Sequence, residues 1–341
     1  MHRTLLPLTL TAVLAVGLTG CLAGEDASTT QSTDESGATE LTLDFATYNP
    51  LSLVIKDQGW LEDELADQDI SVTWVQSAGS NKANEALRAG AIDIGSTAGS
   101  AALLARSNGS PIKTIDIYSQ PEWSALVTVD GTGVDGVEDL RGRSVAATKG
   151  TDPYFFLVQA LEAAGLDSSE VTVQNLQHAD GWAALNNGSV DAWAGLDPIM
   201  ASAEQEGADL FYRNIDFNTY GFLNATEDFL TTSPELAQTV VDAYEKARRW
   251  AGENPEETAR ILAEEAGIDV ELATTVIVER TNLDVDPVPG EAQRRVLETV
   301  GPNFVETGDV SSQDSIDEAL DTLFDESFAT NADPDAIGAA S

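Results

Sequence analysis

From Leu41 onward short β-rich runs alternate with amphipathic helical stretches, and few architectures accept that alternation. Strands that return in the same direction need a helix between them, so the pattern predicts α/β layers on mainly parallel sheet. Strands are expected at 41–48, 71–76, 92–94 and 112–118, with helices at 51–66, 81–89 and 99–107 between them. A second group follows with strands at 125–129, 144–147, 171–175 and 190–193 and helices at 153–164 and 181–187. After a further strand at 220–224 the chain is mostly helical, at 234–253, 255–266, 270–278, 291–300 and 312–324. Asp152, Ser233 and Asn254 each precede a proline, which predicts a capping side chain ahead of a proline at the first helical position.

The first twenty residues are different in kind. A short basic start, His2 and Arg3, is followed by an apolar stretch at 5–18 and by small residues up to Cys21, which is signal-peptide anatomy. The apolar stretch is shorter than the roughly 20 residues of a spanning helix. Leu18-Thr19-Gly20-Cys21 resembles the lipobox of bacterial lipoproteins, in which the cysteine becomes the first mature residue and carries the lipid. Cys21 is the 1 cysteine of the chain, so no disulfide can form within it. Residues 21–40 are small and polar almost throughout and cannot bury enough apolar surface to fold, so they read as a flexible tether.

The formal net charge is −41, and cleavage after residue 20 would remove Arg3 and no acid. Nucleic acid and anionic lipid surfaces both require clustered Lys and Arg, so neither is expected as a partner. The charge favours solubility and says little about a ligand.

Two loops carry ligand-binding chemistry. Gly95-Ser-Thr-Ala-Gly-Ser100 stands between a strand and a helix, where the hydroxyls of Ser96, Thr97 and Ser100 and free backbone N–H groups can meet a ligand oxygen. Gly150-Thr151-Asp152 holds the same position before the next helix. Read alone, both are equally ordinary capped turns. Asp152 complicates an anionic ligand, because a carboxylate at a helix start satisfies the dipole itself and repels a second anion. Lys149 either offsets it or faces solvent.

Four segments together resemble the nitrate/sulfonate/taurine family of periplasmic-type binding proteins: Glu85-Ala-Leu-Arg-Ala-Gly-Ala-Ile-Asp-Ile-Gly-Ser-Thr97, Val137-Glu-Asp-Leu-Arg-Gly-Arg-Ser-Val145, Lys149-Gly-Thr-Asp152 and Gly188-Ser-Val-Asp-Ala-Trp-Ala-Gly-Leu-Asp-Pro198. The likeness runs from about Leu41 to Phe229. It implies a type II-like, two-lobed fold with the ligand in the cleft, the chain crossing between lobes near Gln120 and Asn218. Lobe 1 would comprise 41–120 plus 219–341 and lobe 2 would comprise 121–218. Cleft-edge candidates are then Asn49, Trp123 and Asn218, with Asp197 from the fourth segment. Family members that bind sulfonates often carry Trp before the Asp-Pro, and Leu196 stands there instead.

The family role so implied is the extracytoplasmic component of an ABC importer, a monomer anchored through Cys21 that delivers a small sulfonate, taurine or nitrate-type solute to the permease's transmembrane subunits. A pyrimidine or thiamin-precursor heterocycle is the alternative, which Asp152 and Trp123 would tolerate better. No cofactor or metal is expected, since a zinc site would have one histidine after the leader and no free thiol.

Catalysis on this fold has two precedents in the resemblance. Desulfinases use a cysteine, and the cysteine here is assigned to the lipid. Pyrimidine synthases use a histidine, which could only be His178, and no nucleophile-elbow motif supports a triad around it. Gly131-Thr-Gly-Val-Asp-Gly136 matches a dinucleotide-binding string but lacks a following helix and is flanked by acids, so it reads as a hairpin-like loop.

Overall fold

A computed structural model describes residues 39–338. The expected signal peptide, the lipid attachment at Cys21 and nearly all of the expected tether lie outside the described residues. In chain order the first elements are β1 (Glu40–Phe45), α1 (Pro50–Gln58), α2 (Trp60–Leu65), β2 (Ser71–Gln76), α3 (Ser80–Arg88), β3 (Ile94–Ala98), α4 (Gly99–Ser107) and β4 (Ile112–Pro121). Then follow β5 (Ser124–Thr128), β6 (Ser144–Ala147), α5 (Asp152–Ala163), β7 (Thr172–Asn175), α6 (His178–Asn186), β8 (Ala192–Leu196), α7 (Ile199–Gln205) and β9 (Asp209–Tyr212). The chain continues with β10 (Gly221–Thr226), α8 (Glu227–Thr232), α9 (Pro234–Glu253), α10 (Pro255–Ala266), α11 (Val270–Thr274), a π-helical turn at Thr275–Arg280 and β11 (Thr281–Asn282). It ends with α12 (Glu291–Glu306), α13 (Gln313–Thr322) and α14 (Ser327–Thr330).

The strands form two sheets, in the orders β11-β4-β10-β3-β1-β2 and β7-β6-β8-β5-β9. In the first, β1 runs parallel to β2 and β3, while β10 runs antiparallel to β3 and β4. In the second, β6 runs parallel to β7 and β8, while β5 runs antiparallel to β8 and β9. Both sheets thus insert one reversed strand at the same interior place, and β11 adds a second at the edge of the first sheet. The interior reversed strand is the one on which the chain arrives from the other sheet: β5 follows β4, and β10 follows β9.

Local chemistry fixes the element ends, and some differ from expectation. The helix expected at 51–66 breaks at Gly59, whose left-handed φ of 65° lets its N–H close α1 onto the carbonyls of Ile55 and Lys56. The strand expected at 92–94 begins at Ile94 and runs to Ala98, buried throughout, so Ser96 and Thr97 lie within a central strand rather than in a loop. Neither Ser233 nor Asn254 caps its helix through the side chain. Asn254 instead donates to the Trp250 carbonyl at 2.9 Å and closes the preceding helix. At α5 the cap position belongs to Thr151, and Asp152 is the first helical residue. The glycine-rich loop at 131–136 is no hairpin, because β5 pairs with β8 and β9 and not with β6.

Two large apolar cores hold the layers. Around β1, Leu41, Leu43, Leu51, Val54 and Ile55 pack with Val240, Val241 and Leu262 of the C-terminal helices. The second core joins the sheets: Leu103 and Ile117 from the first meet Leu126 and Phe155 from the second, with Leu297 and Phe304 of α12 between. Phe155 and Phe304 meet tilted, with centroids 4.4 Å apart. Burial of each such ring stabilises by about 1.5–3 kcal/mol, so α12 fastens the first sheet's layer to the second's.

Candidate functional site

Where the two sheets face each other, the start of α4 meets the start of α5, and the meeting is made by one carboxylate. Asp152 is 1% exposed and its oxygens have four donors. Oδ1 accepts from Ser100 Oγ, and from Thr219 Oγ1 at 2.8 Å. Oδ2 accepts from Trp123 Nε1 and from Thr219 N, both at 2.8 Å. Thr219 Oγ1 in turn accepts from Ser100 N at 3.2 Å, so the N-terminal end of α4 reaches the carboxylate through a hydroxyl. Burial pushes the Asp152 carboxyl above its usual range, opposed by these hydrogen bonds.

Above the carboxylate lies a cavity of about 10 Å³, walled by Tyr48, Ala98, Trp123, Thr151, Asp152 and Leu196. Room for about one water is all this provides. Tyr48 donates to the Ser96 carbonyl at 3.0 Å and meets Trp123 edge to face, with centroids 6.1 Å apart. Beyond that aromatic pair a second cavity of about 10 Å³ is lined by Pro50, Asp197, Ile277 and Arg280. Arg280 donates to both Asp197 oxygens at 3.2 Å and to Glu204. Burial raises the Asp197 carboxyl to about 6 despite that guanidinium. The sheets are therefore closed on each other here, and a drug-sized ligand, which needs a pocket of hundreds of Å³, enters only if they part.

The candidate residues divide by position. Trp123, Thr151 and Asp152 line the first cavity, Ser100 reaches it only through its bond to Asp152, and Asp197 lines the second. The Thr151 hydroxyl donates to the Thr148 carbonyl at 2.6 Å. Asn218 ties the two connecting segments, accepting from Ser124 N at 2.8 Å. Asn49 is drawn into the first sheet's core, where it accepts from Ser52 N at 3.3 Å and donates to the Tyr244 hydroxyl at 3.0 Å. The Ser96 N–H and hydroxyl both go to the Asp44 carboxylate, which burial raises to about 7. Thr97 Oγ1 accepts from Asn224 Nδ2 at 2.8 Å. Lys149 is exposed, its Nζ 5.3 Å from the centre of the Tyr154 ring.

Tyr48, Leu196 and Arg280 complete the walls without having been candidates, and Thr219 adds two of the donors to Asp152. Arg280 lies in the C-terminal third, where the sequence carries no motif, and nothing in its neighbours signals a reach across to Asp197. Among the described residues no group of three or more His, Cys, Asp or Glu could hold a metal ion. No helix among them is long and apolar enough to cross a membrane.

Residues 52–258 match the family described as NMT1/THI5 like, well over half of the chain. The chain belongs to the NMT1/THI5-like family. A protein of Escherichia coli (strain K12) named for aliphatic-sulfonate binding is 27% identical over 242 residues, 70% of this chain and 75% of that one. Among solved structures, the alkanesulfonate-binding protein SsuA from Xanthomonas axonopodis pv. citri, bound to MOPS, superposes with a TM-score of 0.74 at 20% identity, covering 83% of this chain and 98% of its own. The desulfurization enzyme DSZB superposes with a TM-score of 0.62 at 14% identity, covering 86% of this chain and 98% of its own. These likenesses establish the two-lobed periplasmic-binding-protein fold. Because the family's fold also carries an enzyme, the fold alone does not decide between binding and catalysis.

Proposed function

We propose that the chain is the extracytoplasmic solute-binding component of an ABC importer, a monomer that closes its two lobes on one small molecule and presents the closed form to the permease. The observation that carries this reading is the small cavity to which Tyr48 and Ala98 contribute from lobe 1 and Thr151 and Asp152 from lobe 2, with Asp152 bonded to Ser100 and Trp123. With lobe 1 as 41–120 plus 219–341 and lobe 2 as 121–218, the connecting segments that include Trp123 and Thr219 act as the hinge. Closure is then a population shift, driven by contacts that the solute makes with both lobes at once. Cleavage before Cys21, a lipid on that cysteine and the polar tether would hold the protein at the outer face of the cytoplasmic membrane.

A small sulfonate, taurine-like or nitrate-type compound is the solute that family membership and the sulfonate-named relative favour. A pyrimidine or thiamin-precursor heterocycle is favoured by one observation, the buried Asp152 carboxylate beside the Tyr48 and Trp123 rings. Binding is preferred to catalysis because His178, 1% exposed, contacts Thr148 and no carboxylate, and burial lowers it to about 4.

A thermal-shift panel of sulfonates, taurine, nitrate, sulfate and pyrimidine or thiamin-related compounds tests the proposal. At a hundredfold excess over the dissociation constant, binding to the native state alone adds about 2.7 kcal/mol of stability. A rise for one chemical class is expected, and no rise with any compound contradicts the reading.

A further inference from the structure

We infer that Asp152 is the specificity-determining residue of the cleft. Its carboxylate holds the donors that would otherwise cradle an oxyanion, so the solute presents to this place an amine or another hydrogen-bond donor. This rests on the reading that the cleft holds a solute, and it deepens that reading by naming which end of the solute faces α5.

The seat is built for a negative oxygen pair. Ser100 Oγ, Thr219 Oγ1, Thr219 N and Trp123 Nε1 all donate into it, which is as many donors as a carboxylate's two oxygens can accept in plane. They come from α4 and from both connecting segments. The occupant comes from α5. A sulfonate, nitrate or carboxylate entering the same place would meet a carboxylate and find its donors taken. Among the described residues no lysine or arginine is paired with Asp152: Arg280, the cation lining the neighbouring cavity, is paired with Asp197 and Glu204.

Of the four bonds, the one from Ser100 joins a helix of the first sheet to a helix of the second. Thr219 and Trp123 stand on the connections between the sheets. Thr219 opens the return to lobe 1 and is held by Ser100 N at 3.2 Å, so parting the lobes breaks the Ser100 bond, pulls on both Thr219 bonds and frees lone pairs on Asp152. What the opened cleft offers at this point is an acceptor bearing negative charge, which matches an ammonium group or a ring-bound amine. If the solute also carries a sulfonate, that end points away from Asp152.

Calorimetric titration of the wild-type chain, Asp152→Ala and Asp152→Ser with methanesulfonate and acetate tests the assignment. Removing the carboxylate leaves the four donors facing an open seat, so both variants are expected to bind each anion at least tenfold more tightly than the wild type. A variant that unfolds alone but is restored by acetate supports the assignment in the same way. Wild-type binding of methanesulfonate as tight as the variants', folded variants with no gain, or two variants left unfolded even in excess acetate would overturn it. A solute found in the panel together with no gain in the variants removes this inference and leaves the importer reading. Gain in the variants with silence across the panel does the reverse.

Discussion

His178 shows how much one buried ring can set. It opens α6 with 1% of its surface exposed, its Nδ1 3.2 Å from Thr148 Oγ1 and its Nε2 without a partner. Burial lowers it from an ordinary 6.5 to about 4. The unfolded chain therefore binds the extra proton between those values, and the stability this neutral ring contributes is fully present above pH 6.5 and lost as pH falls towards 4. The loss amounts to about 3 kcal/mol. Denaturant titrations of the wild type and His178→Gln at pH 7.5 and 4.5 should show a stability difference that narrows or reverses at the lower pH, and parallel pH profiles would disprove the assignment. At this scale the sequence was partly legible. It marked the Ser100 and Asp152 turns, because strand-to-helix loops with hydroxyls and glycine are visible as such. It did not say where Asp152 points, since donors such as Trp123 and Thr219 are brought to it by the crossings and not by neighbours in the chain.

At the scale of elements, the same short device appears twice. In Gly90-Ala-Ile-Asp93 the aspartate accepts from the Thr42 N–H at 2.9 Å and the Thr42 hydroxyl at 2.6 Å. In Gly188-Ser-Val-Asp191 the aspartate accepts from the N–H and hydroxyl of Ser144, both at 2.8 Å. Each ties the entrance of one strand, β3 or β8, to its parallel neighbour, β1 or β6. It explains the misplaced strands: the visible apolar run precedes the aspartate, whereas the ladder begins after it. Close packing of α6 on the second sheet gives a further test. A Cβ on Gly181 would come within 2.7 Å of the Trp193 ring, which is fully buried. Gly181→Ala should cost about 1–3 kcal/mol through overpacking. Gly252→Ala, where nothing stands within 4 Å and the residue is in the last turn of α9, should stabilise by about 0.5 kcal/mol. Thermal melts of the two variants measure both, and equal shifts would show that the packing around Trp193 is looser than described.

For the whole molecule, the α/β class was legible because apolar runs and helix periods alternate, and the family segments implied two lobes. The C-terminal third was legible only as helices. Its amphipathic stripes say that α12 packs on something, and cannot say that Phe304 meets Phe155 of the second sheet while Arg280 meets Asp197. Those contacts join what the sequence presents as distant segments. Together with the Asp152 seat they describe a body fastened by an apolar core around α12 and closed at Asp152 by polar bonds that a solute could replace. Native mass spectrometry of the folded chain with the same panel of sulfonates, oxyanions and heterocycles tests this most directly. The account predicts a one-to-one complex with one class of compound, released unchanged in mass when the protein unfolds; release of a product of different mass, or no complex with any compound, would contradict it.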